Sequence, residues 1–184
     1  MISLFGRDPT QDAAELAYAR VVMQARHPLF FSEYGVPDTV DGRFELICLH
    51  AFLFLNRLRA EGAVAERLGQ AFFDTMFNDM DRSLREMGTG DLSVGRQVKR
   101  MAQAFYGRVR AYEDGIGQAD GALEAALARN LFGTVQPAPA AVPAMAAYLR
   151  REMAGMRDQG GDALLAGEVA FGPPPAPEML ETVA

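Results

Sequence analysis

Apolar residues recur along this chain at intervals of three and four, the repeat of an α-helix, and no run alternates long enough to claim a strand. Asp8-Pro9-Thr10 opens a first helix whose inward side is supplied by Ala13, Leu16, Ala17, Val21 and Ala25. His27-Pro28 ends it, because the residue before a proline avoids the α region. Residues 29–37 read as an aromatic loop. Asp38 or Thr39 then caps a second helix that reaches about residue 60 and closes at Glu61-Gly62. Phe44, Ile47, Leu49, Phe52, Leu53, Phe54 and Leu55 make this helix apolar nearly all round, which predicts a central element, the most buried of the molecule.

A third helix spans residues 64–87 and stops at Gly88-Thr89-Gly90. The fourth starts with Asp91 as its N-cap and runs to residues 112–114, where Gly115-Ile116-Gly117 is expected to break it. An alanine-rich helix follows over residues 120–130, ended by Gly133. Residues 134–143, rich in Pro and Ala, read as a linker. A last helix covers residues 144–157, followed by a short piece at Leu164-Leu165 and a proline-rich tail over 172–177. The expected fold is all-α. A compact multi-helix bundle with a central apolar helix occupies residues 1–133, and residues 144–184 add a short C-terminal helical extension beyond the linker.

A chain of 184 residues can bury roughly 70% of its unfolded surface, so it needs no disulfide or metal staple. Its net charge of -6 argues against a dedicated nucleic-acid binder, and Lys99 is its sole lysine among many arginines. The single cysteine, Cys48, excludes an internal disulfide framework and a zinc ribbon. The start has neither the basic nor the apolar region of a secretory signal, and residues 46–55 are about half the ~20 needed to span a bilayer. The expected location is cytoplasmic. Met1 to Phe5 and Leu29-Phe30-Phe31 offer at most a weak peripheral contact with a membrane surface.

Chemistry is hard to find. Cys48 and His50 lie two apart on a helix and project to nearly opposite sides, so they cannot share one metal ion. His27 could meet His50 in space, but spacing implies no acidic partner. The glycines at 88, 90 and 95 suggest a phosphate loop only until one notes that no strand precedes them. The expectation is no catalytic residue, no metal and no cofactor.

Residues 72–112 say more. Phe72, Phe73, Met76, Phe77, Met80, Leu84 and Met87 form a wide apolar face, opposite Asp74, Asn78, Asp81 and Arg85. In the next helix Val94, Val98, Met101, Phe105, Val109 and Tyr112 face inward, with Arg96, Lys99, Arg100, Gln103 and Arg110 outside. Methionine-rich faces suit varied apolar partners. Gly95 and Gly107 each cost a helix about 1 kcal/mol, which predicts close approach of a second backbone. Tyr106 sits on the flank, where a plain bundle needs no aromatic.

The run from Asp74-Thr75-Met76-Phe77-Asn78-Asp79-Met80-Asp81-Arg82-Ser83-Leu84-Arg85-Glu86-Met87-Gly88 through Gly90-Asp91-Leu92-Ser93-Val94-Gly95 resembles the signature of the ubiquinol–cytochrome c chaperone family, the Cbp3-type assembly factors of the bc1 complex. The likeness continues through Val98-Lys99, Met101 and Ala104-Phe105-Tyr106-Gly107-Arg108 to Ala111-Tyr112, and Arg43-Phe44-Glu45-Leu46 with Leu49-His50 is similar to an upstream block. It covers residues 26–133. The lack of a targeting presequence points to a bacterial homologue. The resemblance implies a non-enzymatic chaperone that holds newly made cytochrome b, with other bc1 assembly factors as further partners. Surface ion pairs are worth only about 0–1 kcal/mol, so stability does not explain the charges on this hairpin. Asp74, Asp81, Arg85, Lys99, Arg100, Tyr106 and Arg108 are therefore the expected client-binding residues. The rival reading is a helical enzyme or ligand-binding bundle for an isoprenoid- or quinone-like molecule, which requires a polar cluster facing an apolar pocket.

Overall fold

A helix that is apolar on every side must be enclosed by others, and the architecture follows from that. The computed structural model describes residues 8–118 and 121–174. Its elements are α1 (Pro9–Ala25), α2 (Leu29–Ser32), α3 (Val40–Leu58), a 3-10 turn (Arg59–Glu61), α4 (Ala63–Glu86), α5 (Asp91–Gly117), α6 (Ala122–Asn130), α7 (Ala141–Arg157) and α8 (Gly161–Leu165). Among the described residues there is no strand. α3 is the centre: residues 46–54 are all buried, and α1, α4, α5 and α7 pack around it. α6 bridges α5 and α7.

Local chemistry sets the ends. The Asp8 carboxylate accepts from the Thr10 N–H at 2.9 Å and Pro9 occupies the first turn of α1. Thr39 Oγ1 accepts from the Gly42 N–H at 3.2 Å, which caps α3. Pro143 falls in the first turn of α7, where a missing N–H costs nothing.

Four local expectations are corrected. Leu16 is 38% exposed, because the inward stripe of α1 runs through Ala14, Ala17, Tyr18, Val21 and Ala25 and leaves position 16 at its edge. Within the predicted aromatic loop, Leu29–Ser32 closes one helical turn that drives Phe30 fully into the core. With Phe31 half-buried, little of this segment is left to touch a membrane; Met1 to Phe5 lie outside the described residues. Gly115 does not break α5. A Cβ there would lie 2.8 Å from Leu123 Cα, so the glycine lets the start of α6 cross against α5, and the helix continues to Gly117. Finally, Gly95 and Gly107 have no heavy atom within 4 Å of where a Cβ would stand, and both are exposed. No second backbone packs there.

The C-terminal half closes the core. Met145, Tyr148 and Leu149 of α7 are buried in the same cluster as α3. Residues 169–174 return across α7 and α1: Phe171 lies edge-on to His50, the Gly172 N–H donates to Glu152 at 2.8 Å, and Gln24 Nε2 donates to the Gly172 carbonyl at 2.8 Å. The rest of the proline-rich tail, from residue 175, lies outside the described residues.

Candidate functional site: the helical hairpin and its groove

α4 and α5 are joined by the tight turn Met87-Gly88-Thr89-Gly90. Gly88 has φ +86°, the Thr89 N–H donates to the Leu84 carbonyl at 3.0 Å, and the Gly88 N–H donates to Arg85 at 2.9 Å. That double closure is a Schellman motif, and only the left-handed glycine makes it cheap. Gly90, not Asp91, is the N-cap of α5, and no side chain caps that helix. The expected Asp91 cap is therefore corrected. Asp91 instead pairs with Arg85 across the turn, at a helix N-terminus where a negative charge is favourable.

This turn also explains two of the residues expected on the client surface. Arg85 Nε donates to Asp81 at 2.6 Å while its other arm reaches Asp91. The pairing holds the Asp81 carboxyl below the usual carboxylate range. Both groups are solvent-accessible and serve the hairpin's own closure. Asp74 stands exposed on α4 and accepts from Gln70 at 2.8 Å.

Arg108 was expected beside Tyr106 on the solvent flank. The structure turns it inward, onto Glu45 of α3: Nε lies 2.9 Å from Oε2, Nη2 reaches Oε1, and Nη1 donates to the Ala104 carbonyl at 3.3 Å. Glu45 is only 6% exposed. Burial pushes its carboxyl upward, and the Arg108 hydrogen bonds pull the other way. Behind this pair, burial pushes up both the Cys48 thiol and the Tyr112 hydroxyl. Sequence reading missed the Glu45–Arg108 pair. The signal was Glu45 itself, a carboxylate inside an otherwise apolar helix, which must find a cation or lose its charge.

Lys99, Arg100 and Tyr106 remain on the outside of α5. Among the described residues neither cation makes an ion pair. Tyr106 is 61% exposed and stacks on Phe73 of α4, with ring centroids 5.5 Å apart and planes at 28°.

Among the clefts beside the hairpin, two have walls rich in methionine or aromatic side chains. One, of about 290 Å³, lies between α3 and the hairpin, with Phe44, Ile47, Met80, Leu84, Met87 and Met101 on its walls and Arg26, Arg43 and Glu86 at its rim. Met87 is 55% exposed and Val40 47% exposed at its lip. The other, of about 370 Å³, runs beneath Tyr106 and Phe73 towards Phe52 and Leu55. The α3 wall of the first cleft could not be read from sequence, since a helix apolar on all sides does not say which side lines an opening.

The histidines are accounted for by the core. His50 Nδ1 lies 2.7 Å from the Leu46 carbonyl, Nε2 lies 2.8 Å from the Tyr148 hydroxyl, and Gln24 donates to that hydroxyl at 2.9 Å. A consistent set has Nδ1 donating and Nε2 accepting from Tyr148. Burial pushes the imidazole down to about 4, so it is neutral at pH 7. His27 does not reach His50; both rings abut Phe30. Among the described residues no three His, Cys, Asp or Glu side chains could hold a metal ion, and no helix is long and apolar enough to cross a membrane.

Residues 32–171 match the ubiquinol-cytochrome C chaperone family, a span that takes in α3 through α8. The chain belongs to that family. The match passes well beyond residue 133, so α7 and α8 lie within the family's shared region. A solved structure, the crystal structure of the Cbp3 homolog from Brucella abortus, superposes with a TM-score of 0.78 at 36% identity and covers 89% of this chain and 91% of that one. The ubiquinol-cytochrome-c reductase complex assembly factor 1 of Xenopus laevis is 28% identical over 162 residues, 88% of this chain and 81% of its own length. Protein CBP3, mitochondrial, of Saccharomyces cerevisiae is 29% identical over 107 residues, 56% of this chain and 32% of that protein. The chain spans about half the length of the mouse and human assembly factors it matches.

Proposed function

We propose that this chain is a non-enzymatic assembly chaperone of the ubiquinol–cytochrome c reductase (bc1) complex, with newly made cytochrome b as its client. It acts at the cytoplasmic face of the membrane that receives the client, alongside other bc1 assembly factors. The observation that carries this reading is the cleft between α3 and the α4–α5 hairpin. Its walls hold three methionines, and its lip leaves Met87 and Val40 in solvent. Flexible thioethers adapt to apolar surfaces of differing shape, and burial contributes about 25 cal/mol per Å² without demanding one geometry. An apolar helix of a membrane protein is the kind of segment such a groove holds, read by anchors three and four residues apart.

The charged residues divide around it. Asp81 and Arg85 close the hairpin's turn, and Arg108 ties the hairpin to α3 through Glu45. Asp74, Lys99, Arg100 and Tyr106 stay open to contact. Of these, Lys99 lies on the side of α5 nearly opposite Met101, while Arg100 lies between them. Neither cleft gathers a nucleophile with a base, which supports a binding role over catalysis.

The test is removal of the gene, followed by measurement of cytochrome b absorbance and ubiquinol–cytochrome c reductase activity in membranes. The proposal expects both to fall while other respiratory complexes persist. Unchanged cytochrome b and bc1 activity would overturn it.

A further inference from the structure

The outer side of α5 is used by neither the core nor the groove. Residues 92–112 carry five basic side chains and not one carboxylate, in a chain whose net charge is -6. Leu92, Arg96, Lys99, Gln103, Tyr106 and Arg110 recur at intervals of three and four, so they share one side of the helix. All six are exposed. Among the described residues Arg96 and Lys99 make no ion pair, and Arg110 meets only Asp114, at 3.9 Å. At the end of this stripe Leu92 is 94% exposed, next to the turn that also leaves Met87 in solvent.

Solvation alone accounts for single charges on a helix but not for this combination. A solvated face mixes signs, as α4 does with Asp74, Asp81, Arg82 and Arg85. Here one sign runs the length of a stripe spanning about 27 Å, bounded by an aliphatic side chain and carrying a tyrosine.

We propose that this face of α5 docks the protein on a membrane surface rich in anionic phospholipid headgroups. Arg96, Lys99 and Arg110 meet the headgroup phosphates, Tyr106 lies at headgroup level with its hydroxyl in water, and Leu92 inserts at the acyl boundary. The acidic excess of the rest of the chain keeps its other faces away from the same surface, which fixes the orientation. An RNA would find the same cations, but exposed Leu92 contributes nothing to phosphate contacts, whereas a lipid interface uses it. The inference rests on α5 alone and goes beyond the client reading, since it holds whatever the groove carries.

The test is co-sedimentation of the full chain with vesicles of phosphatidylcholine alone and with phosphatidylglycerol mixed in, at low and at high salt. The wild type is expected to bind the anionic vesicles only and to leave them in high salt. Each cation contributes about fivefold in binding, so the triple charge reversal Arg96→Glu, Lys99→Glu, Arg110→Glu should lower it by at least tenfold. Leu92→Glu, a change at a fully exposed position, should weaken binding severalfold with an unchanged melting temperature, and covers the case in which the triple variant fails to fold. Wild-type protein that ignores anionic vesicles overturns the proposal. So do a folded triple variant that binds as well as wild type, a Leu92→Glu protein with unaltered binding, or RNA that binds in preference to vesicles. Cross-linking of client at the groove is read separately, so loss of one leaves the other standing.

Discussion

α3 and α5 both wall the hairpin groove, and they are built to opposite rules. In α3, 13 of 19 residues are buried; in α5, 4 of 27 are. α3 carries its two polar exceptions, Glu45 and His50, only because Arg108 and Tyr148 come to meet them. α5 buries Val94, Phe105, Tyr112 and Gly115, packs Val98, Met101 and Val109 half-buried against the bundle, and leaves its outer side to solvent. One helix organises the fold and the other is free to serve contact. Sequence change should therefore be felt as lost stability in α3 and as altered contact on the outer side of α5.

The largest effect should come from the centre of α3. Phe52→Ala removes a ring that is 1% exposed and packs 5.7 Å from Tyr112. It should cost about 3–5 kcal/mol in urea denaturation. Leu92→Ala on α5 should stay within about 0.5 kcal/mol of wild type in the same assay. Similar losses at both positions would erase the distinction.

The polar exceptions come next. Arg108→Ala strands Glu45 in a buried setting and should cost about 3 kcal/mol. Replacing both partners with apolar residues should restore much of it, which a double-mutant cycle measures. His50 gives a pH signature. Its folded value of about 4 lies below the ordinary 6.5 of the unfolded chain, so the unfolded state binds the proton first. Stability is fully present above pH 6.5 and drains as the pH falls toward 4. About 2 kcal/mol should be lost between pH 7.5 and 5, and His50→Gln should flatten that slope.

Two glycines of α5 should respond with opposite signs. Gly115→Ala puts a Cβ 2.8 Å from Leu123 Cα and should destabilise by about 1–3 kcal/mol. Gly95→Ala meets nothing within 4 Å and should stabilise by about 0.5–1 kcal/mol in thermal denaturation. The smallest effect belongs to Asp91→Ala, an exposed ion pair rather than a cap, at about 0.5 kcal/mol or less.

Much of this was legible in the chain. Period alone gave an all-α bundle and named α3 as its centre, because Leu46 to Phe54 leaves no polar side to expose. The Gly88 turn could be read because one glycine with positive φ ends a helix in a defined way. What could not be read depended on neighbours distant in sequence. Gly115 looks like a helix breaker until α6 is seen crossing it. Arg108 looks like a surface charge until Glu45, 63 residues earlier, is found beneath it. Gly95 and Gly107 looked like contact points, and nothing stands within 4 Å of where a Cβ would be at either. Of the expected client residues, Asp81, Arg85 and Arg108 proved to be tied within the hairpin and to α3, since side-chain partners are set by the third dimension and not by helical spacing.

The central claim is that the cleft between α3 and the hairpin holds the client. It is tested most directly by placing a photo-activatable cross-linker at position 87, on the cleft's lip, and at position 23, where Met23 is 63% exposed on α1 and forms no part of the cleft's walls. Position 87 should capture newly made cytochrome b and position 23 should not. Equal capture at both positions, or capture at 23 alone, would contradict the account.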